Sequence, residues 1–107
     1  MEYNAVECFK ALADPIRLSI IQRLKDDREL CACNLLEDFE ISQPTLSFHM
    51  KKLTACGLVN VRRDGIWMKY SVNVDFVDHL IEDLGRVRQK SESLTPLMNQ
   101  SKVSGLR

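Results

Sequence analysis

The stretch Glu29–Leu53, ELCACNLLEDFEISQPTLSFHMKKL, contains two predicted helices separated by a very short turn. The first is expected from Ala32 to about Phe39, with its leucines and phenylalanine facing inward. The second is expected to run to Cys56, with Ser42 as its N-cap and Pro44 inside its first turn. Two helices joined by so short a segment are typical of a helix-turn-helix.

Two further helices are predicted on the N-terminal side of this stretch. Apolar residues recur at helical spacing in Tyr3–Ala13 and again in Ile16–Lys25. Asp14-Pro15 separates the two, because proline disfavours helix at the residue before it yet fits a first helical turn, where Asp14 would be the N-cap. The expected buried stripe of the second helix consists of Leu18, Ile20, Ile21 and Leu24.

A β-hairpin and a last helix are predicted on the C-terminal side. Val59–Arg63 and Trp67–Val72 alternate apolar and polar residues around Asp64-Gly65, which is a hairpin signal. Glu29-Leu30 could add a short extended segment. A helix capped by Asp75 is then expected from Phe76 to about Gln89. The predicted fold class is therefore mainly α with a small β-hairpin, in the order of a winged helix-turn-helix.

The chain length of 107 residues fits a single domain, which is expected over residues 1–90. Residues 91–107 lose the apolar periodicity and are expected to form a flexible C-terminal tail. The first and last helices carry apolar faces that so small a core cannot cover completely, so a homodimer through these two helices is predicted. The expected interface residues are Val6, Phe9, Phe76, Val77, Leu80, Ile81, Leu84 and Val87.

The charge of the chain is zero in total but unevenly distributed. Residues 42–72 hold five basic side chains and one acidic one, whereas residues 1–41 hold five basic and nine acidic. Positive charge is thus concentrated on the second helix of the pair and on the hairpin, where double-stranded DNA would lie in a winged helix-turn-helix.

Polar side chains cover the predicted outer face of the second helix. Glutamine can hydrogen-bond adenine, serine and threonine can contact base edges, and lysine suits phosphates. The alternative is an ordinary solvated helix face. Phe48 could contact a thymine methyl group or pack on the hairpin, and His49 could equally be a packed, hydrogen-bonded residue. The candidate DNA-binding residues are Ser42, Gln43, Thr45, Ser47, Phe48, His49, Lys51, Lys52, Arg62, Arg63 and Lys69.

Membrane insertion and export are not expected. No apolar run approaches the roughly 18 residues of a membrane span, and the first residues lack the basic start and apolar stretch of a signal peptide. A cytoplasmic location is therefore predicted. The four cysteines, at positions 8, 31, 33 and 56, are expected there as reduced thiols.

Cys31 and Cys33 form a C-x-C pair at the start of the first helix of the helix-turn-helix. Thiolates select soft metals, and a helix N-terminus favours the thiolate form. Within a regular helix, residues two apart point about 200° away from each other. We therefore expect both sulfurs to reach one ion only if that first turn unwinds or never forms. Unwinding would shift the second helix against the core and weaken DNA binding.

The segment ELCACNLLEDFEISQPTLSFHMKKL, with ALADPIRLSII before it and RRDGIWMKYSV after it, resembles the ArsR (ArsR/SmtB) arsenical-resistance repressors over roughly residues 5–85. The resemblance implies a homodimeric repressor on the promoter of a resistance operon. It implies release when arsenite or antimonite, as inducer, binds Cys31 and Cys33, with no cofactor required.

Two positions depart from the pattern of that family. Position 34 is Asn where the family commonly has Asp, and Leu36 stands where some members have a third cysteine. A third ligand for trivalent arsenic would then be a hydroxide, a small thiol, Cys56 or Cys8.

Two other classes of protein remain as alternatives. One is a winged-helix repressor whose cysteines respond to cadmium, lead, zinc or thiol oxidation. The other is a C-x-C thiol enzyme, but no general base or phosphate-binding glycine loop accompanies the pair. The sequence therefore predicts a regulator and not an enzyme.

Overall fold

The computed structural model describes residues 2–88 of the chain. Its elements are α1 (Ala5–Leu12), α2 (Pro15–Leu24), β1 (Leu30–Cys31), α3 (Ala32–Phe39), α4 (Gln43–Ala55), β2 (Val59–Asp64), β3 (Trp67–Val72) and α5 (Val74–Val87). The predicted winged helix-turn-helix is confirmed. The expected helix end at Gln89 and the tail at 91–107 lie outside the described residues. Over residues 2–88, none of the helices combines the length and the apolar character that crossing a membrane requires.

Side-chain caps fix where the helices begin. Asp14 Oδ2 accepts hydrogen bonds from the backbone N–H groups of Ile16 and Arg17, at 2.9 and 3.0 Å. Ser42 Oγ accepts from the N–H of Thr45 at 3.2 Å. Both caps were predicted, and each satisfies amide groups that have no partner within the helix.

The prediction that Asp75 caps the last helix is wrong. Asn73 is the N-cap of α5, and its Oδ1 accepts from the N–H of Phe76 at 3.3 Å. Asp75 lies in the first turn of the helix, where a carboxylate is still favoured by the helix dipole. The helix consequently begins at Val74, two residues earlier than expected.

The turn between α3 and α4 depends on one residue with left-handed backbone geometry. Glu40 has φ 52° and ψ 44°, and its N–H donates to the carbonyl oxygen of Leu36 at 3.0 Å. This conformation stops α3 within one residue, so α4 can begin at Gln43. The short connection holds the two helices in contact with each other.

The core lies between the helices and the base of the hairpin. Its largest fully buried side chains are Ile20, Leu24, Leu35, Leu53, Leu58 and Cys8. The prediction that Leu18 belongs to the buried stripe of α2 is wrong, because Leu18 is 43% exposed whereas Ile20 is completely buried. Ile20 and Leu24 are four residues apart and share one face of α2, and Leu18 points away from that face.

The sheet has the strand order β1-β3-β2. β2 and β3 form the predicted hairpin, or wing, with Asp64 opposite Trp67. Its two-residue turn is Gly65-Ile66 and not Asp64-Gly65, because Gly65 with φ 65° fits the first central position of a type II′ turn. β1, the expected extended segment, pairs with β3 and places Cys31 opposite Lys69.

Candidate DNA interface and thiol site

Helix α4 presents a polar face to solvent and an apolar face to the core. Leu46, Met50 and Leu53 are buried beneath it. The exposed residues on the opposite side are Gln43, Thr45, Ser47, Phe48, Lys51 and Lys52, preceded by the exposed N-cap Ser42. The structure thus places these seven candidate DNA-binding residues together on one accessible surface.

His49 does not lie on this surface. Its side chain is almost fully buried, and its Nδ1 is 3.1 Å from Nη1 of Arg17 and 3.9 Å from Oδ2 of Asp14. Of the two interpretations that the sequence left open, the structure shows the packed and hydrogen-bonded one. A direct contact between His49 and a base is therefore not supported.

Phe48 is exposed on α4, and two cationic side chains lie close to its ring. Its ring centroid is 6.0 Å from Cζ of Arg17 and 5.4 Å from Nζ of Lys52. Both distances lie within the range of a cation–π contact. Positive charge therefore accompanies the exposed aromatic residue of the candidate DNA surface.

The basic residues of the wing differ in their partners. Arg62 on β2 makes a bidentate ion pair with Glu29, with Nε to Oε2 at 2.6 Å and Nη2 to Oε1 at 2.8 Å. This arginine holds the pKa of the Glu29 carboxyl below its usual value. Lys69 is 3.5 Å from Asp64. Arg63 is exposed and forms no ion pair within residues 2–88, so it is the wing cation most available to DNA.

Cys31 and Cys33 are joined by a disulfide bond in the structure. The expectation of reduced thiols at these two positions is therefore not what the structure shows. The expectation that their sulfurs diverge unless α3 unwinds is also wrong. Cys31 precedes the helix as its N-cap, with ψ 162°, so the rotation of 100° per residue does not apply to it. The two Cα atoms are 5.3 Å apart while the first turn of α3 is intact.

The surroundings of the cysteine pair are partly polar and open. Asn34 Oδ1 accepts a hydrogen bond from the N–H of Cys31 at 3.1 Å, which ties the N-cap residue to the first turn. A cavity of about 240 Å³ lies beside the sulfurs, and Glu29, Trp67 and Lys69 contribute to its wall. The cysteine pair is therefore accessible to a small solute.

The other two cysteines form a separate pair in the core. Cys8 Sγ donates to the carbonyl oxygen of Cys56 at 3.4 Å, and Cys56 Sγ donates to that of Leu53 at 3.3 Å. Burial, with the neighbouring Cys56, raises the pKa of the Cys8 thiol to about 11. Among residues 2–88, no three Cys, His, Asp or Glu side chains are grouped to hold one metal ion. The structure thus does not bring Cys8 or Cys56 to the C-x-C pair.

The candidate interface residues divide into exposed and buried groups. Val6 and Phe9 on α1 and Ile81, Leu84 and Val87 on α5 are exposed. The other three pack on the protomer's own core: Phe76 and Val77 are partly buried and Leu80 is only 6% exposed. Leu80 is thus a core residue, and the exposed group is what a partner could cover.

Comparison with known proteins identifies the family. Residues 14–61, from the N-cap of α2 into β2, match the family model for bacterial regulatory proteins of the arsR family. The chain is 48% identical over 75 residues to the arsenical resistance operon repressor of Staphylococcus xylosus. The matched residues cover 70% of this chain and 71% of that relative. This chain belongs to the arsR family.

A second relative and a solved structure agree with this assignment. The arsenical resistance operon repressor of Staphylococcus aureus is 43% identical over 83 residues, covering 78% of this chain and 79% of the relative. Among solved structures, HlyU from Vibrio cholerae superposes with a TM-score of 0.65 at 37% identity, covering 78% of this chain and 89% of the other. The chain is accordingly a helix-turn-helix regulator of transcription and not an enzyme.

Arg17 was not among the residues predicted from the sequence, yet it lies next to the candidate DNA surface of this arsR-family chain. Arg17 lies on α2, yet its guanidinium contacts His49 and Phe48 on α4. The side chains are more than thirty positions apart in the sequence, so no local pattern signals the contact. An arginine three residues after an N-cap is, by itself, an ordinary helix-surface residue.

Proposed function

We propose that this arsR-family regulator is a cytoplasmic repressor that binds operator DNA as a homodimer. It is released when As(III) or Sb(III) binds the thiolates of Cys31 and Cys33. The observation that carries the proposal is the position of these sulfurs, which lie together beside an accessible cavity at the start of the helix that supports α4. The arsenical resistance repressors among the relatives support the choice of inducer.

The proposed binding reaction begins from the reduced pair. Arsenous acid, As(OH)₃, would exchange two hydroxyl groups for the two sulfurs, forming two As–S bonds and releasing two water molecules. The third position on arsenic would keep a hydroxide or accept a small thiol from solution. This assignment agrees with the structure, in which Cys8 and Cys56 lie in the core and not at the C-x-C pair.

The proposed signal passes to the wing as well as to α4. Cys31 belongs to β1, and the pairing of β1 with β3 puts Cys31 opposite Lys69. Glu29, the residue before β1, binds Arg62 on β2. Inducer binding that repositions Cys31 would therefore act on both wing strands. Unwinding of α3 is not needed. By thermodynamic linkage, DNA must lower the affinity for the inducer by the factor by which the inducer lowers the affinity for DNA.

The DNA contacts are proposed from the exposed side chains of α4 and the wing. Gln43, Thr45 and Ser47 would meet base edges in the major groove, while Lys51 and Arg63 would contact phosphates. A homodimer would place two copies of α4 on a pseudo-palindromic site. The exposed apolar residues of α1 and α5 would be covered by the partner subunit.

The test is release of the reduced protein from a fluorescent duplex carrying its selected binding site. Arsenite, antimonite, cadmium, zinc and peroxide are compared in parallel. The wild-type protein is expected to release DNA with arsenite and antimonite, and the Cys31→Ser, Cys33→Ser variant is expected to remain bound. The Cys8→Ala, Cys56→Ala variant is the matched control and should respond like wild type. Release of the Cys31→Ser, Cys33→Ser variant by arsenite would refute the proposed sensor.

Thiol oxidation is a second candidate, favoured by the disulfide bond between Cys31 and Cys33. Two thiols and one peroxide would give the disulfide and two water molecules, with the sulfurs oxidised and the peroxide reduced. The two inducing reactions exclude each other, because bonded sulfurs cannot bind arsenic. Release by peroxide without release by arsenite would favour oxidation over metalloid sensing, and release by cadmium or zinc alone would favour a metal sensor.

A further inference from the structure

A cationic groove of about 430 Å³ lies between α1, α2 and α4, beside the exposed face of α4. Three cations, Lys10, Arg17 and Lys52, and one carboxylate, Glu7, contribute to its wall. Lys10 and Glu7 are 3.8 Å apart and neutralise each other. The charge that remains in the groove is that of Arg17 and Lys52.

The guanidinium of Arg17 is held by groups on both sides of the groove. Nε donates to the carbonyl oxygen of Ala11 near the end of α1 at 2.6 Å, and Nη1 bonds Nδ1 of His49 on α4 at 3.1 Å. Within residues 2–88, Nη2 makes no hydrogen bond to another group. Because two of its nitrogens are already fixed, the arginine presents its third nitrogen in a defined direction with little further loss of side-chain freedom.

His49 orients this arginine. A guanidinium can only donate hydrogen bonds, so Nδ1 of His49 must accept and the imidazole proton must lie on Nε2. The histidine is on the buried side of α4, where it is almost completely enclosed, and it cannot reach DNA. It acts instead as a positioning residue that links Arg17 of α2 to α4.

Arg17 and Lys52 lie on the same exposed aromatic ring, that of Phe48. Ser47 and Lys51, the neighbours of Phe48 and Lys52 in the sequence, belong to the candidate DNA surface of α4. A DNA duplex bound along that surface would bring its sugar-phosphate backbone past the ring. An oriented guanidinium and an ammonium group on the wall of the same groove match a phosphodiester in charge, and the guanidinium also matches it in hydrogen-bond geometry.

We propose that Arg17 and Lys52 bind a phosphate of the DNA backbone, with His49 as the positioning residue for Arg17. The ligand is a phosphodiester of the duplex whose bases α4 contacts. This inference depends on the DNA-binding part of the proposed function and is independent of the inducer. It extends the DNA surface from α4 and the wing to a third element, α2.

The test is the salt dependence of binding to the selected duplex by the full-length reduced protein. Each phosphate contact contributes about 0.9 to the slope of log Kobs against log salt concentration. Because Arg17 and Lys52 contact the same phosphate, replacing both by Gln is expected to reduce the slope by about 0.9 per protomer. Arg17→Gln or Lys52→Gln alone is expected to reduce the slope by part of that amount and to weaken binding evenly across DNA sequences. Arg23→Gln is the matched control, because it removes the same charge from the same helix where the guanidinium binds Asp27 and Asp38. It should leave the slope unchanged.

A reduced affinity of Arg17→Gln with an unchanged slope would overturn the proposal, because a structural role would weaken binding without removing a phosphate contact. Saturable binding of inorganic phosphate in the absence of DNA, lost in Arg17→Gln, would also overturn it and assign the groove to a free anion. The ratio of DNA affinities without and with arsenite should be unchanged in Arg17→Gln. The salt slope tests the proposed phosphate site and the arsenite ratio tests the proposed sensor, so failure of one proposal can be distinguished from failure of the other.

Two substitutions test the role of His49. His49→Asn keeps an acceptor near the position of Nδ1 and is expected to retain the wild-type salt slope. His49→Leu removes the acceptor and is expected to show the reduced slope of Arg17→Gln. A wild-type slope in a folded His49→Leu variant would refute the positioning role. If His49→Leu does not fold, Arg17→Lys provides the test of the geometry. Lysine keeps the charge but cannot bond Ala11, His49 and a phosphate together. A wild-type DNA affinity of Arg17→Lys would therefore refute the proposed geometry.

Discussion

Leu84→Ala should weaken the proposed homodimer by about two orders of magnitude. Leu84 on α5 is 60% exposed, and Ile81 and Val87 on the same helix are exposed to a similar or greater degree. The substitution removes three carbon groups worth about 0.8 kcal/mol each when buried. With 60% of that area exposed in the protomer, a partner would gain about 1.4 kcal/mol from each copy, or about 3 kcal/mol per symmetric dimer. This corresponds to about a 100-fold increase in the dimer dissociation constant.

The measurement is sedimentation equilibrium of the reduced protein over a range of concentrations. Ile66→Ala is the matched control, because Ile66 is 82% exposed but lies at the wing turn, far from α5 in the chain. It should leave the dissociation constant unchanged. A wild-type protein that is monomeric where DNA binding saturates would contradict the reasoning, and so would an unchanged constant in Leu84→Ala.

Three further results are expected. In the reduced protein at neutral pH, iodoacetamide should modify Cys31 and Cys33 before Cys8, as peptide mass mapping would show, because burial raises the pKa of the Cys8 thiol from 9.0 to about 11. This folded-state pKa lies above the unfolded one. The contribution of Cys8 to the free energy of unfolding should therefore be lost as the pH rises from 9 towards 11. Ser42→Ala removes the cap of α4 and should lower the free energy of unfolding in urea by about 1 kcal/mol, whereas an unchanged midpoint would contradict the capping role. Glu29→Gln should reduce the effect of arsenite on DNA affinity, because it removes the negative charge and one of the two hydrogen-bond acceptors that hold Arg62. Wild type should show the same reduction on acidification below the usual pKa of a glutamate, since the lowered pKa of Glu29 keeps the pair charged at neutral pH. An undiminished arsenite effect in the variant would exclude this route to the wing.

The helix-turn-helix could be predicted because its signals are local. Ser42 and Pro44 mark the start of α4 within three residues, and the apolar spacing of Leu46, Met50 and Leu53 identifies its buried face. Local signals gave the wrong N-cap for α5, because two nearby residues are both suitable for that position. Asn73 and Asp75 are both good caps, and the choice between them depends on where β3 ends, which is set by pairing with β2.

The candidate site was predicted less completely, because its contacts join distant segments. Cys31 pairs with a strand 38 positions away, opposite Lys69, and Arg17 meets His49 across two helices. Periodicity within a segment carries no information on such contacts. The predicted geometry of the C-x-C pair was wrong because of one residue. The sulfurs would diverge only if Cys31 were inside α3, and Cys31 is the N-cap of that helix.

The proposed function requires that the C-x-C pair and the DNA surface be thermodynamically coupled. The most direct test is a pair of titrations of the reduced protein: arsenite affinity with and without saturating duplex, and duplex affinity with and without saturating arsenite. For each ligand, the ratio is its affinity without the other ligand divided by its affinity with it. We expect the two ratios to be equal and greater than one in wild type, and no coupling to remain in Cys31→Ser, Cys33→Ser. Arsenite binding at Cys31 and Cys33 with a ratio of one, so that the DNA affinity is unchanged, would contradict it.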